Sequence, residues 1–185
     1  IVVNKNYLGL SREMEFHADK IAASITGYEP LKKSLLRMSL ADTSLNDVLN
    51  FYNNKISENI KSINVYQDQS AVLNFIADIN DLTLTNQLPD IKLEEQNKYN
   101  KSRLVIKDQW SSHPTTEERI NRLIKTAYTT TTNSDSLANS IFTDITKLQK
   151  QISDKLFEAV SYGGEVKEIM SASFLEEFKN EALIN

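Results

Sequence analysis

The sequence predicts a mostly α-helical protein, an irregular helical bundle with at most one short β element. Only 4 Gly and 3 Pro occur among 185 residues, and most segments carry apolar residues at the 3.6-residue spacing of a helix that buries one face. Because 40% of the residues are hydrophobic, a chain of this length can bury a substantial core. The length is that of one domain, or of one domain with a small appendage.

The first predicted helix covers residues 11–26 and is expected to bury a single apolar stripe. Gly27 suits the C-terminal cap of this helix, and Pro30 suits the first turn of the next one. The stripe consists of Leu10, Met14, Ala18, Ile21 and Ile25. The second helix carries an apolar set of its own, Leu31, Leu35, Leu36 and Met38.

A third helix is predicted after Asp42-Thr43-Ser44, which offers an N-cap. Its inward residues are Leu45, Val48, Leu49, Tyr52, Ile56 and Ile60. Residues 72–79 predict a further helix. Residues 83–100 are polar and include Pro89, which predicts a long connection or a mobile insertion.

The C-terminal part of the chain alternates predicted helices with short connections. Residues 115–127 predict a helix with Ile120, Leu123 and Ile124 on one face, and a Thr-rich loop follows at 128–133. The longest periodic stretch then contains Leu137, Ile141, Ile145, Leu148, Ile152, Leu156 and Val160. Gly163-Gly164 ends that stretch, residues 166–169 predict a short strand, and residues 171–182 predict the last helix.

Composition excludes several classes of function. The formal net charge is −4, from 21 basic and 25 acidic residues, and without a dense basic block nucleic-acid binding is disfavoured. The absence of cysteine excludes a disulfide framework, a cysteine zinc module and a catalytic thiol. No run approaches the ~18 apolar residues of a membrane span. The chain begins with Ile1 rather than Met, so we expect it to be a piece of a longer protein.

Two carboxylates one helical turn apart are the first candidate for chemistry. Glu15 and Asp19 share a face at the edge of the apolar stripe, and a carboxylate held against a packed neighbour needs a cation, a metal or several donors. The pair suits a metal ligand, Glu15, beside a carboxylate, Asp19, that accepts the N–H of a ligating imidazole. The alternative is an ordinary solvated helix face on which Arg12 pairs with Glu15.

A histidine at a helix start is the second candidate. Pro114 disfavours helix at His113 and suits a first helical turn, so His113 is expected on a loop from which its imidazole can reach a site. The alternative is a surface histidine. His17 lies roughly 200° round the helix from Glu15, which excludes it from a metal that Glu15 binds.

Both segments resemble peptidase family M48, the CAAX prenyl protease and HtpX-type zinc metallopeptidases. The first is Ser-Arg-x-x-Glu-Phe-x-Ala-Asp-x-x-Ala-Ala from Ser11, followed by a glycine and a Leu-rich helix. The second is His-Pro…Glu-Arg-Ile from His113, which is similar to the family's downstream motif. The resemblance covers residues 6–36 and 110–123. It implies the C-terminal half of a gluzincin-type metallopeptidase domain.

The resemblance also implies a role for each matched residue. Glu15 corresponds to the third zinc ligand, and Asp19 corresponds to its neighbouring carboxylate, which supports the ligands without binding the zinc itself. His113 corresponds to a transition-state donor or reversible extra ligand, and Arg119 to a structural residue that pairs with an acidic neighbour. The family's H-E-x-x-H motif is absent, because His17 and His113 are the only histidines. Its two zinc ligands and general base are therefore expected in a missing N-terminal half.

The function implied is zinc-dependent endopeptidase activity on a protein or peptide substrate. Zn²⁺ is expected in the intact protein, whereas these 185 residues alone are expected to bind no zinc tightly and to be inactive. Residues 1–127 are predicted to belong to the peptidase domain, with an insertion at about 64–107, and residues 128–185 to form a helical extension. Membrane attachment is expected through segments outside this chain. The competing hypothesis is a non-catalytic helical interaction or scaffold domain.

Overall fold

The fold is mostly helical, as predicted. The computed structural model describes residues 2–94, 113–130 and 136–184. Within them lie six α-helices: α1 (Val2–Thr26), α2 (Tyr28–Asn54), α3 (Val65–Ile79), α4 (Thr116–Thr126), α5 (Ile145–Phe157) and α6 (Ser171–Ile184). The same residues contain four short strands: β1 (Ile60–Ser62), β2 (Leu84–Thr85), β3 (Leu88–Pro89) and β4 (Lys167–Ile169). Part of the predicted polar connection and of the Thr-rich loop falls outside the described residues.

The chain forms two compact units, each assembled from two stretches of sequence. The first unit contains Ile1–Leu40 and Asp90–Ser134, and the second contains Ala41–Pro89 and Asp135–Asn185. This spatial grouping is separate from the boundary predicted at residue 127, which stays a prediction.

The first unit packs α1 against α4, but on a face of α1 that the apolar pattern does not predict. All five residues of the predicted stripe, including Leu10, Met14 and Ile25, are exposed, so that prediction is wrong. The buried side of α1 instead carries Phe16 and an ion-paired carboxylate. The apolar core of this unit consists of Phe16, Ala23, Leu35, Leu36, Leu40, Ile91, Ile120 and Leu123.

The turn between α1 and α2 requires glycine, as predicted. Gly27 has φ +79°, in the left-handed region that favours glycine, and its N–H donates to the carbonyl of Ala23 at 2.8 Å. A Cβ at this position would lie 3.2 Å from the backbone nitrogen of Thr130. Pro30 occupies the first turn of α2. The turn is therefore fixed both by backbone conformation and by close packing.

The prediction of a separate third helix is wrong, because α2 continues through the expected N-cap at Asp42-Thr43-Ser44. Ser44 is fully buried, and its hydroxyl donates to the carbonyl of Ala41 at 2.9 Å. A serine inside a helix can satisfy its hydroxyl in this way. Leu49, expected inward, is 36% exposed, and Met38, from the apolar set of the second predicted helix, is 52% exposed.

An aromatic core holds the second unit together. The Phe51 ring meets the Phe174 ring edge-on at 4.9 Å between centroids, and Tyr52 stacks on Phe174 at 5.4 Å. The cluster of buried residues is Val48, Phe51, Tyr52, Val65, Val72 and Phe174. Two of these residues, Val48 and Tyr52, were predicted to point inward.

Two helices of the second unit begin elsewhere than predicted. The side chain of Asn64 caps α3 by accepting from the backbone N–H groups of Tyr66 and Gln67, so α3 starts before residue 72. Asp144 caps α5 in the same way, and the two residues that open the predicted stripe, Leu137 and Ile141, lie ahead of it and are exposed.

The packed face of α5 is set by a polar contact. Ser153 is fully buried and accepts a hydrogen bond from the backbone N–H of Val65 at 3.0 Å. On the same helix Ile152 and Leu156 are 36% and 49% exposed. The stripe predicted for this stretch is therefore not the buried one.

The short strand predicted at residues 166–169 is confirmed as β4. It pairs in parallel with β1, with Ile60 opposite Lys167 and Ser62 opposite Ile169. The antiparallel β2–β3 hairpin was not predicted. It turns through Asn86 and Gln87, both at positive φ, as a type I′ hairpin turn requires.

A membrane-crossing helix would have to be longer and more apolar than any helix in the described part of the chain.

A buried carboxylate joins three elements of the second unit. Asp68, on the first turn of α3, is 1% exposed, and its Oδ2 accepts hydrogen bonds from Ser62 and, at 2.8 Å, from the Tyr52 hydroxyl. Its Oδ1 is buried with no hydrogen-bond partner among the described residues. Burial raises the pKa of Asp68, and the donating hydroxyls oppose the shift.

We expect Asp68→Asn to alter how stability depends on pH. A carboxyl whose pKa is higher in the folded than in the unfolded chain stabilises the fold below its unfolded pKa, about 3.9. That contribution is lost as pH rises through the folded pKa. The neutral amide of Asn does not titrate and so removes this loss. Between pH 4 and pH 7 the free energy of unfolding of the variant should therefore increase relative to that of the wild type.

Urea denaturation followed by circular dichroism at several pH values measures this difference. Asp78→Asn, an exposed position on the same helix, is the matched control and should follow the wild type. Curves for Asp68→Asn and wild type that stay parallel across the range would contradict the prediction.

Candidate active site

The two segments singled out in the sequence meet in the first unit. The imidazole Nδ1 of His113 hydrogen-bonds to Oε1 of Glu15, across 98 residues of sequence. The side chain of His113 is 73% exposed and that of Glu15 is 26% exposed. A carboxylate anchored on a helix thus stands beside an imidazole that is open to solvent.

The start of α4 fixes His113 in place. Pro114 is buried, and Thr115 forms a capping box with Glu118, with backbone-to-side-chain distances of 3.2 and 2.9 Å. The hydrogen bond from the Thr115 backbone lowers the pKa of Glu118. Arg12 donates to both carboxylate oxygens of Glu118 at 2.9 and 2.8 Å. The alternative pairing of Arg12 with Glu15 is therefore not the one that forms.

Asp19 and Arg119 form the most buried ion pair between α1 and α4. Nε of Arg119 donates to Oδ2 of Asp19 at 2.8 Å, and Nη2 donates to Oδ1 at 2.6 Å. The Asp19 side chain is only 8% exposed, and its hydrogen bond raises the pKa of Arg119. Arg119 thus pairs with an acidic side chain, and its predicted structural role stays a prediction. Both carboxylate oxygens of Asp19 accept hydrogen bonds from this guanidinium. The predicted hydrogen bond between Asp19 and a zinc-binding imidazole stays a prediction.

Arg119 also reaches the candidate ligand. Its Nη1 lies 3.6 Å from Oε2 of Glu15, while the other oxygen of Glu15 contacts His113. The guanidinium is held by Asp19, so its position relative to Glu15 is set by the packing of the two helices. The carboxylate of Glu15 is therefore oriented from both sides.

Sequence reasoning also missed the ion pair between Glu13 and Arg122 in this interface. Arg122 donates to both oxygens of Glu13 at 2.8 and 2.7 Å and lies 3.8 Å over the ring of Phe16. The hydrogen bond to Arg122 lowers the pKa of Glu13. The available signal was charge complementarity, since α1 carries Glu13 and Asp19 and α4 carries two arginines three residues apart.

Glu15 lies between the packed and the exposed sides of α1. At about 100° per residue, Asp19 is roughly 40° away from it on the packed side, and Met14 is roughly 100° away in the opposite sense, on the exposed apolar side. His17 is exposed and, by the same count, roughly 200° distant. A segment that covered the apolar side would therefore border Glu15.

The donors present suit part of a zinc site. A carboxylate oxygen and an imidazole nitrogen are both groups that Zn²⁺ takes as ligands, and a catalytic zinc requires three protein ligands. Among residues 2–94, 113–130 and 136–184, no group of three or more His, Cys, Asp and Glu side chains is placed to hold a metal. Glu15 and His113 can supply at most two.

Comparison with known proteins agrees with the two motifs. The model of Peptidase family M48 matches residues 2–127, a stretch that includes α1, α4 and the four residues Glu15, Asp19, His113 and Arg119. No curated protein and no solved structure matched the chain. The match covers well over half of the sequence, and peptidases of this family are generally zinc-dependent. On these grounds the chain is a member of peptidase family M48.

Proposed function

We propose that the intact protein is a zinc-dependent endopeptidase in which Glu15 is a zinc ligand. The contact between Glu15 and His113 carries this proposal, because it joins the two family motifs at one point. Zinc bound there would lower the pKa of a water molecule to about 7 and polarise the scissile carbonyl.

The residues of this chain have distinct roles in the proposed site. Glu15 offers a carboxylate whose second oxygen is held near Arg119 at 3.6 Å. His113, exposed and next to Glu15, can donate a hydrogen bond to the oxygen on which negative charge develops, or act as a reversible further ligand. Asp19 and Arg119 are positioning residues, because their bidentate pair fixes α4, and with it His113, against α1.

The remaining ligands are proposed to come from an H-E-x-x-H helix encoded ahead of Ile1. The exposed apolar side of α1 supports this, since large hydrophobic residues seldom form a continuous exposed stripe without a covering partner. The large hydrophobic residues on this side are Tyr7, Leu10, Met14, Ile21 and Ile25, each at least half exposed. A helix packed along this side would bring two histidines one turn apart next to Glu15.

The test compares the protein encoded by the whole gene with the 185-residue chain. We expect the former to retain stoichiometric zinc through dialysis and to cleave unstructured peptides, with loss of activity in phenanthroline and recovery on adding zinc. The 185-residue chain is expected to do neither. Stoichiometric zinc in the short chain, or a gene without H-E-x-x-H upstream of Ile1, would overturn the assignment of ligands.

A further inference from the structure

The second unit contains an open groove that plays no part in the proposed peptidase site. It encloses about 670 Å³ and lies where α5, β1 and the segment leading into β4 meet. Its apolar lining is Phe157, Tyr162 and Val166. Its charged lining is Asp154, Glu158, Glu168 and Lys61.

One edge of β4 is open beside this groove. Among the described residues β4 pairs only with β1. The N–H of Lys167 donates to Asn59 at 2.7 Å, and the carbonyl of Ile169 accepts from Ile63 at 3.4 Å, so both residues turn their backbone groups towards β1. Alternate residues of a parallel strand point these groups to opposite sides. The N–H and C=O of Glu168 therefore point away from β1, and an edge of this kind can accept another strand.

The side chains of β4 divide between the core and the groove. Ile169 packs against the aromatic core, and in a strand the intervening residues face the other way. Val166 and Glu168 accordingly line the groove, together with Lys61, the register partner of Glu168. Glu168 thus belongs to both features, because its backbone lies on the open edge of β4 and its side chain lines the groove.

The charge of the groove favours a basic occupant. Three carboxylates and one lysine line it, which leaves a formal charge of −2. Lys61 lies 3.0 Å from Asp154 and 3.0 Å from Glu168, so its own charge is compensated within the groove. Glu158, exposed at the rim, adds a carboxylate that an arriving cation would meet.

We propose that an extended segment of another polypeptide, with alternating basic and apolar residues, binds here by adding a strand to β4. Its backbone pairs with Glu168, its basic side chains face the acidic groove, and its apolar side chains lie on the opposite side of the strand, which is the side of Ile169. The partner is thus a peptide strand recognised by backbone pairing together with charge.

Fluorescence polarisation with the full chain and a labelled decapeptide of alternating Lys and Val tests this. We expect saturable binding, with at least about tenfold weaker binding of a Glu–Val decapeptide. A Lys–Val decapeptide N-methylated at every residue keeps its charge but has no backbone N–H to donate to β4 from either edge, and it should also bind at least about tenfold more weakly. In NMR spectra the amide of Glu168 should shift on titration with the unmodified peptide.

Matched charge reversals locate the site. Glu158→Lys should weaken binding about threefold to tenfold, whereas Glu176→Lys, at an exposed position of α6, should leave it unchanged. Equal binding of the N-methylated peptide would exclude strand addition. Equal effects of the two reversals, or no binding at all, would overturn the proposal. Peptidase assays are not involved, so its failure and that of the proposed function are distinguishable.

Discussion

Replacing Glu15 with Gln in the intact protein is expected to remove tightly bound zinc and to lower kcat/KM by more than about 100-fold. A loss of this size exceeds what is typical when a residue that only hydrogen-bonds to a metal ligand is removed. The amide keeps the size of the side chain but is a far weaker ligand than a carboxylate. Zinc content after dialysis and the rate of peptide cleavage measure the two effects. Retention of both zinc and activity would show that Glu15 is not a ligand.

Two controls separate loss of the metal from loss of the fold. Glu13→Gln, two residues earlier on α1 and at an exposed position, should leave zinc and activity in place. In the 185-residue chain, Glu15→Gln should change the free energy of unfolding by less than about 1 kcal/mol, because the contacts of Glu15 are partly solvated. A much larger loss there would mean that Glu15 serves the fold.

The parts of the site that depend on local sequence could be predicted. Pro114 and Thr115 define a helix start within a few residues, which places His113 at its mouth whatever the rest of the chain does. Gly27 likewise fixes the turn between α1 and α2. The spacing of Glu15 and Asp19 follows from the geometry of a single helix.

The choice of the buried face of α1 could not be predicted from its own sequence. Apolar spacing indicates which face is hydrophobic, but here the hydrophobic face and the face packed on α4 differ. The packed face is flanked by Asp19 and Glu13, which pair with arginines about 100 residues later. Only a comparison of charges on the two helices would have indicated this.

The predictions of helix boundaries in the second unit were wrong for a related reason. A Ser or Thr among polar residues signals an N-cap, but the same hydroxyl can bond back within a continuing helix, as Ser44 does. Ser153 is buried because its hydroxyl accepts the backbone N–H of Val65, at the start of α3. No periodicity within α5 encodes that requirement.

Arg119→Ala is expected to destabilise the first unit by about 3–5 kcal/mol, because it leaves the carboxylate of Asp19 buried without its partner. The Asp19 side chain is 8% exposed and has both oxygens bonded to the guanidinium. Little water could therefore reach the carboxylate to replace the hydrogen bonds lost with Arg119. Arg122→Ala is the matched control on the same helix, and it should cost only about 1 kcal/mol because its partner Glu13 is exposed. Urea denaturation of each variant gives the two values.

The double variant Asp19→Ala/Arg119→Ala distinguishes a buried charge from simple loss of packing. Removing the carboxylate as well removes the uncompensated charge, so the double variant should be more stable than Arg119→Ala alone. If the two losses instead add, the pair contributes mainly through packing. In the intact protein the double variant should still lose activity, because α4 would no longer hold His113 beside Glu15. Stability would then be recovered without function, which is the behaviour expected of positioning residues.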